Sequence, residues 1–264
     1  MTTESRSNCL SENGTTMSQR WCIYIDILGF SHFWGDKGDW EAFYPLRELM
    51  RALFRIGTKV YPNDDDRLFV HQMGDGFAIV SNFGECSLER PISIAIALMR
   101  HVAATGKFAA ATIAEGEFGD IQGCYPREVT ECYRDGRVHL GRGLMTLSTV
   151  MGTAFIRAYG LHNKVPSGPF LTLSDCYRSR VPEGLSVRAT EDNMDTRLLS
   201  IDWVQAETAL LKKIQVQAGL IAPEPDELVQ TIRNYCMQYP HIREKWRIAL
   251  NDFLAIKLDT NLDE

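Results

Sequence analysis

The chain of 264 residues is 45% hydrophobic and 23% charged, with a formal net charge of -6 at pH 7. This composition is ordinary for a globular protein with a sizeable core, and no apolar run approaches the roughly 20 residues that a membrane-spanning helix needs. The acidic balance argues against a dedicated nucleic-acid-binding protein, which usually carries a basic excess. Seven cysteines without a CxxC pair predict reduced thiols in a cytoplasmic protein rather than a disulfide framework or a zinc site.

The first part of the chain predicts a polar leader followed by strands and helices. Residues 1–19 lack apolar periodicity, which predicts a disordered leader without a secretory signal. The run WCIYIDILGF is apolar apart from Asp26, and this pattern predicts a buried strand. Gly74-Asp75-Gly76 between two β-rich flanks is a strong hairpin signal. In chain order, the predicted elements are a strand over 21–30, a helix over 40–57, two strands over 67–83 and a buried helix over 88–104.

The second part of the chain predicts a strand pair, a helix, two more strands and a helical tail. This order predicts an α+β fold, with an antiparallel sheet of the ferredoxin-like kind and helices on one face. We therefore expect an α+β domain over 20–203 and a helical C-terminal extension over 204–264. No GxGxxG follows the first strand, which excludes a Rossmann sheet. The predicted elements are strands over 108–116 and 121–125, a helix over 141–162, strands over 169–174 and 197–203, and helices from 204 onward with breaks at 222–225 and near Pro240.

Asp26 and Asp75 are the two residues that point to chemistry. An unpaired carboxylate inside an apolar strand carries a high desolvation cost, and a carboxylate at a hairpin tip projects beyond the end of the sheet. If the two strands are neighbours, the carboxylates converge, and a cation between them relieves their repulsion. Oxygen ligands suit Mg²⁺ or Mn²⁺, and Mg²⁺ keeps open positions for phosphate oxygens. The pair therefore indicates chemistry on a nucleoside triphosphate.

Each of these features also has an ordinary structural interpretation. Asp75 taken alone is a common hairpin-turn residue, and His71 fits one face of a strand as well as it fits a contact with a base. The acidic loop PNDDDR lacks the glycine and the terminal glutamate of a Ca²⁺ loop, so a solvated loop is the better interpretation. The two aspartates together, rather than either alone, favour a metal site.

Around these aspartates the sequence resembles the class III nucleotide cyclases. That family has an aromatic-x-Asp-Ile-x-Gly-Phe strand followed by a Gly-Asp hairpin, and here YIDILGFS is followed by HQMGDGFAIV. The segment IAEGEFGDIQG (113–123) is similar to the family's Gly-Glu strand, and GTAFIRAYGL (152–161) is a weak version of its later helix. The resemblance covers roughly residues 20–175 and implies a class III cyclase domain with a ferredoxin-like sheet.

The resemblance implies a role for each residue of the two motifs. Asp26 and Asp75, with the Ile27 carbonyl, would bind two Mn²⁺ or Mg²⁺ ions. In such a site the ribose 3′-oxygen attacks the α-phosphate, pyrophosphate leaves and a 3′,5′-cyclic monophosphate forms. Active sites at the interface of a homodimer are also implied. The implied nucleotide contacts in the first motif are Tyr24, Gly29, Phe30 and Ser31.

The sequence also departs from the purine cyclases of this family. His71 stands where those enzymes have a lysine, and Ile156 and Gly160 stand where they have the asparagine and arginine that stabilise the transition state. Arg157 and Arg142 are the candidate replacements, and His71 and Arg157 are further predicted nucleotide contacts. Loss of the purine-reading residues, with both metal ligands retained, resembles the pyrimidine cyclases of the Pycsar antiphage defence system.

This second resemblance implies an enzyme that converts UTP, or alternatively CTP, to the cyclic monophosphate as a second messenger in antiphage defence. The implied partners are the pyrimidine nucleotide, a second copy of the chain and a separate effector that the cyclic nucleotide activates, with no nucleic acid or membrane. The main alternative is a catalytically degenerate cyclase-homology domain that binds nucleotide as a sensor. A palm of the diguanylate cyclase kind shares the hairpin but has a Gly-Gly-Asp-Glu-Phe run that is absent here.

Overall fold

The computed structural model describes residues 19–30, 39–81, 83–120, 124–147, 150–191, 197–246 and 249–250. Residues 1–18 of the predicted leader and the predicted last helix beyond 250 lie outside these ranges. The strands are β1 (Arg20–Ile27), β2 (Leu68–Met73), β3 (Gly76–Ser81), β4 (Ala109–Gly116), β5 (Gly119–Asp120), β6 (Arg137–Leu140), β7 (Gly143–Thr146), β8 (Val150–Met151), β9 (Leu171–Ser174), β10 (Val187–Glu191) and β11 (Arg197–Ile201). The helices are α1 (Asp39–Arg55), α2 (Glu89–Ala103), α3 (Arg127–Cys132), α4 (Thr153–His162), α5 (Ala209–Ala218), α6 (Pro225–Gln238) and α7 (Pro240–Lys245).

The main sheet has seven strands in the order β10-β11-β9-β4-β1-β3-β2. Its first four strands in the chain alternate with α1 and α2 as β-α-β-β-α-β, and they are arranged as β4-β1-β3-β2 with every neighbouring pair antiparallel. This arrangement confirms the predicted α+β fold with a ferredoxin-like antiparallel sheet. The sheet is extended through one parallel pairing, between β4 and β9.

Side chains along β1 alternate between the two faces of the sheet, as they do in any strand. The odd-numbered residues from 21 to 27 point to the face on which α1 and α2 pack, and we call this side the core face. The even-numbered residues Cys22, Tyr24 and Asp26 point to the opposite side, on which α4 packs, and we call this side the α4 face. The single charge in the apolar run of β1 therefore lies on the less deeply covered side of the sheet.

Helix α4 departs from the prediction that the helices lie on one face. It packs closely because Ala154 and Ala158 are small and meet Ala114 and the ring of Tyr24. The hydroxyl of Thr112 in β4 donates a hydrogen bond of 2.8 Å to the carbonyl of Ala158. The α4 face thus has its own small apolar cluster, separate from the core.

The C-terminal helices α5 to α7 extend the core face. Leu211 and Ile214 in α5, and Leu228 and Ile232 in α6, belong to the same buried cluster as the sheet and α2. The connection before α5 is fixed by the buried Arg100 of α2, whose guanidinium donates to three backbone carbonyls. These carbonyls are those of Trp203 at 3.0 Å, Val204 at 2.9 Å and Ala206 at 2.7 Å. The boundary between domain and extension near 203 stays a prediction.

Three local predictions differ from the structure. The predicted helix over 141–162 forms only from Thr153, because Gly141, with φ of 63°, turns the chain between β6 and β7. The strand β10 was not predicted, because VRATE is short and holds a single large apolar side chain, although its first four residues alternate between apolar and polar. Cys86 is disulfide-bonded, so the prediction of reduced thiols is wrong at that position, while Cys22, Cys124, Cys132, Cys176 and Cys236 are free.

Among the helices that the structure describes, none is long and apolar enough to cross a bilayer.

Candidate functional site

The structure brings Asp26 and Asp75 together at one end of the sheet. The pairing of β1 with β3 ends at Ile25 and Phe77, so the next residue along β1, Asp26, reaches the start of β3 at Gly76. Asp75 occupies the two-residue turn between β2 and β3 and precedes Gly76 directly. The two carboxylates therefore meet because they sit at the ends of neighbouring antiparallel strands.

The electrostatics of this pair show two acidic groups in close proximity. The pKa of Asp75 is raised above its usual value, first by burial and then by the negative charge of Asp26. Asp26 is held with one oxygen, Oδ1, buried and without a hydrogen-bond partner among the described residues. An unpaired buried carboxylate oxygen beside a second carboxylate is unfavourable for folding. A bound cation would relieve both costs.

Gly76 makes the close approach of these groups possible. A Cβ atom on Gly76 would lie 2.6 Å from the hydroxyl oxygen of Tyr24 and 3.2 Å from Oδ1 of Asp26. The first distance is shorter than any normal contact, so a larger residue would push Tyr24 and Asp26 aside. The second glycine of the hairpin is thus required by the site and not only by the turn.

His162 at the end of α4 also reaches the carboxylate pair, and no pattern in the sequence predicted this. Its Nε2 lies 3.6 Å from Oδ2 of Asp26, and its side chain is 17% exposed. The imidazole stands edge-on to the ring of Tyr24, with 5.0 Å between the ring centroids. A lone histidine gives no signal of its own, but the helical spacing of Phe155, Tyr159 and His162 marks one face of α4 that covers Tyr24.

Tyr24, which was predicted to border the nucleotide, is largely covered by α4. The residue is 5% exposed, and its ring meets the ring of Tyr159 edge-on at 5.2 Å. The pKa of Tyr24 is raised, mainly by burial and further by the charges of Asp26 and Asp75. The phenol is therefore neutral, and its hydroxyl lies beside Gly76 at the edge of the site.

His71 lies in the same cross-strand row as Tyr24. The register pairs His71 with Ala78 and Ala78 with Tyr24, so the three side chains share the α4 face, and the outer two backbones are about 10 Å apart at two strand spacings. Nε2 of His71 is buried without a hydrogen-bond partner among the described residues, and burial lowers the pKa of the imidazole. Ala78, which separates the neutral histidine from the neutral tyrosine, is 2% exposed, and the ring of Phe118 lies 5.9 Å from that of His71, so this row is largely covered.

The loop after β1 contains the residues that were predicted to contact phosphates. Gly29 has φ of 76°, a conformation that favours glycine, and the Leu28 amide donates to the carbonyl of Phe108 at 2.9 Å. The ring of Phe30 turns away from the loop and meets Phe43 of α1. Ile27 is buried at the end of β1. Ser31 lies outside the described residues.

Arg157 is not brought to the carboxylate pair within one protomer. Its Nη1 donates to the carbonyl of Glu115 at 2.9 Å, and Glu115 pairs with Trp21 at the other end of β1. Five residues of strand separate Trp21 from Asp26, which is about 16 Å. Ile156 is 57% exposed, and a Cβ on Gly160 would have no neighbour within 4 Å. Arg142 is exposed in the turn between β6 and β7.

The residues present fit a divalent metal ion whose coordination shell is completed by phosphate oxygens. Among the described residues, no group of three or more His, Cys, Asp and Glu side chains is arranged to hold a metal ion. The site therefore offers two carboxylates and no closed cage. Mg²⁺ is usually bound in this way, through one or two carboxylates with water and substrate phosphates completing the shell. The unpartnered Oδ1 of Asp26 is the free donor atom that such binding requires.

Comparisons with known proteins were made at the level of sequence and of structure. No family model and no curated protein matches this sequence. A bacterial light-regulated adenylyl cyclase aligns with a TM-score of 0.47 and 12% identity over 76% of this chain, which spans only 57% of that protein. The dimeric guanylyl cyclase domain of the RhoGC fusion protein from the aquatic fungus Blastocladiella emersonii aligns with a TM-score of 0.45 and 10% identity, over 70% of this chain and 94% of that domain.

A third solved structure is the catalytic core of a rhodopsin-guanylyl cyclase with converted specificity, in complex with ATPalphaS. It aligns with a TM-score of 0.45 and 9% identity, over 70% of this chain and 96% of that one. At TM-scores below 0.5, these likenesses carry no information about substrate or mechanism. The chemistry of this chain has to be inferred from its own site.

Proposed function

We propose that this protein is a metal-dependent nucleotide cyclase. The observation that carries the proposal is the meeting of Asp26 and Asp75 at the ends of adjacent strands, with Gly76 holding space open for them. An arrangement that leaves a buried carboxylate oxygen unpaired is costly, and the cost is explained if the pair holds cations together with a triphosphate. The resemblance of the two aspartate motifs to class III cyclases supports the same reaction.

The residues of this chain would act by binding and orienting. Asp26 and Asp75, with the Ile27 carbonyl, would hold two Mn²⁺ or Mg²⁺ ions. Such ions, when bound, lower the pKa of the attacking ribose hydroxyl and neutralise charge on the phosphates. The backbone around Gly29 and Phe30 would approach the phosphates closely, because the glycine has no side chain in the way. His162 would contribute by holding Asp26 in place from the side of α4.

The proposed substrate is a pyrimidine nucleotide, with UTP preferred to CTP. His71 lies in the same cross-strand row as Tyr24 on the α4 face, and a neutral imidazole presents one hydrogen-bond donor and one acceptor. The purine enzymes of the family have a charged lysine at this position, and its replacement by His71 is part of the resemblance to the Pycsar cyclases. On the same grounds we propose that the cyclic nucleotide is a second messenger in antiphage defence that activates a separate effector.

A homodimer with active sites at its interface is part of the proposal. Large apolar side chains are exposed on α4 and on the hairpin of β6 and β7, namely Ile156, Tyr159, Leu140 and Leu144. Large apolar side chains that are exposed in one chain are candidate contacts with a second copy. Arg157, which is remote from the carboxylate pair of its own protomer, would contact the nucleotide only across such an interface. Light scattering coupled to gel filtration should give twice the chain mass.

The decisive experiment is a substrate screen with matched variants. The purified protein is incubated with each of ATP, GTP, CTP and UTP in Mn²⁺ or Mg²⁺, and cyclic products and pyrophosphate are measured by mass spectrometry. We expect cyclic UMP or cyclic CMP, and a loss of about a hundredfold to a thousandfold on Asp26→Asn or Asp75→Asn. Asp65→Asn, in an exposed loop, removes the same charge elsewhere and should leave the rate unchanged. Folded protein that yields no cyclic product from any nucleotide would contradict the proposal.

The alternative function is a nucleotide sensor without turnover. It is favoured by Ile156 and Gly160, which offer no polar group for the transition state, and by Arg157, whose guanidinium is bonded to the backbone of β4. The same samples distinguish the two functions. Nucleotide binding that requires Mn²⁺ and Asp26, measured by calorimetry without release of pyrophosphate, would favour the sensor.

A further inference from the structure

A cavity lies behind the loop that follows β1, on the side of the C-terminal extension. Its volume is about 530 Å³, which is within the range of small-molecule sites. Leu28 and Gly29 form one wall, and α7 forms the other with His241, Ile242 and Lys245. The cavity therefore joins the predicted phosphate loop to a helix that lies more than 200 residues later in the sequence.

The cavity is close to the carboxylate pair. Gly29 is three residues beyond Asp26, so their Cα atoms are at most about 11 Å apart even in a fully extended chain. Gly29 also has φ of 76°, which turns the backbone out of the strand direction at this point. The cavity and the carboxylate pair thus lie at the same end of the sheet, on the two sides of the loop after β1.

The wall formed by α7 is firmly held. Trp246, which follows α7 and also lines the cavity, is buried with its ring stacked on Tyr235 at 5.2 Å and edge-on to Phe108 at 5.6 Å. The carbonyl of Phe108 accepts the hydrogen bond from the Leu28 amide. The loop after β1 and the end of α7 therefore both contact Phe108, and this shared contact fixes the distance between them.

The charge of the cavity suits an anion. Lys245 forms no ion pair among the described residues, and none of the described lining residues is acidic. The Ser167 side chain adds a hydroxyl donor at the wall. A lysine ammonium without a protein counter-charge is a suitable ligand for phosphate, to which it presents a point charge.

We propose that Lys245 binds the terminal phosphates of the nucleoside triphosphate in this cavity. The inference rests on the proposed function and extends it, because it makes the C-terminal extension part of the substrate site. Lys245 supplies, from α7, positive charge that Ile156 and Gly160 do not supply from α4. Lys245 is a binding residue in this account, and the aspartate pair remains responsible for the metal.

Tripolyphosphate without metal is the probe for this site, since it reports on the phosphate contacts alone. Titration calorimetry at low salt should show that Lys245→Ala weakens tripolyphosphate binding about tenfold, as expected for the loss of one charge-assisted contact. Lys245→Arg should keep the affinity within about threefold, because it keeps the charge. Lys213→Ala removes an equally exposed lysine from α5 and should change nothing. Thermal unfolding of each variant checks that the fold is intact.

The same titrations decide between the possible outcomes. Unchanged tripolyphosphate affinity in Lys245→Ala, or simultaneous binding of tripolyphosphate and Mn²⁺-UTP to one protomer, would overturn the assignment. If either result is found and the wild-type protein shows full cyclase activity, the proposed function stands and the phosphate site at Lys245 does not. If tripolyphosphate binding depends on Lys245 but the protein cyclises no nucleotide, the proposed cyclase activity is contradicted and the phosphate site is supported.

Discussion

The two faces of the sheet differ in what they contribute to the molecule. On the core face, large aliphatic and aromatic side chains from β1, α1, α2 and the C-terminal helices form one extensive buried cluster. On the α4 face, a single short helix lies over alanines and Tyr24, and the carboxylate pair sits at the end of that cover. Because burial of apolar surface supplies most of the folding free energy, the core face provides stability, and the α4 face accommodates the destabilising carboxylate pair that the proposed function requires.

The largest effect on stability is expected on the core face, at Arg100. Arg100→Met removes the donor to three buried carbonyls and leaves them unpaired, which should lower the free energy of unfolding by about 3 kcal/mol. Urea unfolding followed by circular dichroism measures this change. Arg127→Met, at an exposed pair on α3, should change it by no more than about 0.5 kcal/mol. Equal effects of the two substitutions would mean that the C-terminal extension is not fixed through Arg100.

A smaller loss of stability with a larger loss of function is expected on the α4 face, at Gly76. Gly76→Ala forces Tyr24 and Asp26 apart and should cost about 2 kcal/mol in unfolding free energy. Cyclase activity should fall at least about tenfold, as expected when catalytic ligands are misplaced. Gly160→Ala, in α4, has open space at its Cβ and should instead stabilise by about 0.5 kcal/mol. Full activity in Gly76→Ala would contradict the assigned role of this glycine.

The stability should also depend on pH, through His101 of α2 on the core face and through His71 on the α4 face, whose pKa burial lowers as well. Burial lowers the pKa of His101, and its Nδ1 accepts a hydrogen bond of 3.0 Å from the amide of Ile221. The folded protein therefore holds fewer protons than the unfolded chain, so stability is full above pH 6.5 and falls below it, by at most about 1.4 kcal/mol per pH unit.

Substitution of this histidine isolates its part of the pH dependence. His101→Asn keeps an acceptor without titration, and its unfolding free energy should fall less than that of wild type between pH 7 and pH 5. The exposed His139 of β6 provides the matched control, since His139→Asn should follow the wild-type curve. Identical curves for all three proteins would show that the pKa of His101 does not differ between the folded and the unfolded state.

The smallest effect is a gain in stability at the carboxylate pair. Asp75→Asn removes the like charge beside Asp26 and should stabilise the metal-free protein by about 0.5 kcal/mol, since the group is half-exposed and screened. Added Mn²⁺ should raise the melting temperature of wild type and not that of the variant. Scanning fluorimetry with and without chelator measures both quantities. Destabilisation of the metal-free protein by Asp75→Asn would show that the pair is not under repulsion.

The elements around Asp26 and Asp75 were predictable because their signals are local. The apolar run of β1 and the Gly-Asp-Gly turn specify strand and hairpin from neighbouring residues, and the order of elements then specifies the sheet. Long-range features were not predictable in this way. His162 reaches Asp26 only because α4 crosses the sheet. The small side chains after residue 140 predicted a helix, but the chain turns at Gly141 and forms the hairpin of β6 and β7. The lining of the cavity by Lys245 depends on the docking of α7, which no spacing in the sequence encodes.

The central position of β1 has a consequence for the way in which the proposed metal site can move. β1 is hydrogen-bonded to β4 over its whole length and to β3 over Cys22–Ile25, so its amides are expected to exchange with solvent only when the entire sheet opens. Asp75 is carried by a tight turn next to β2, the edge strand. One carboxylate is thus anchored, and the other can shift with its hairpin, so adjustment to ions of different radius falls to the hairpin alone.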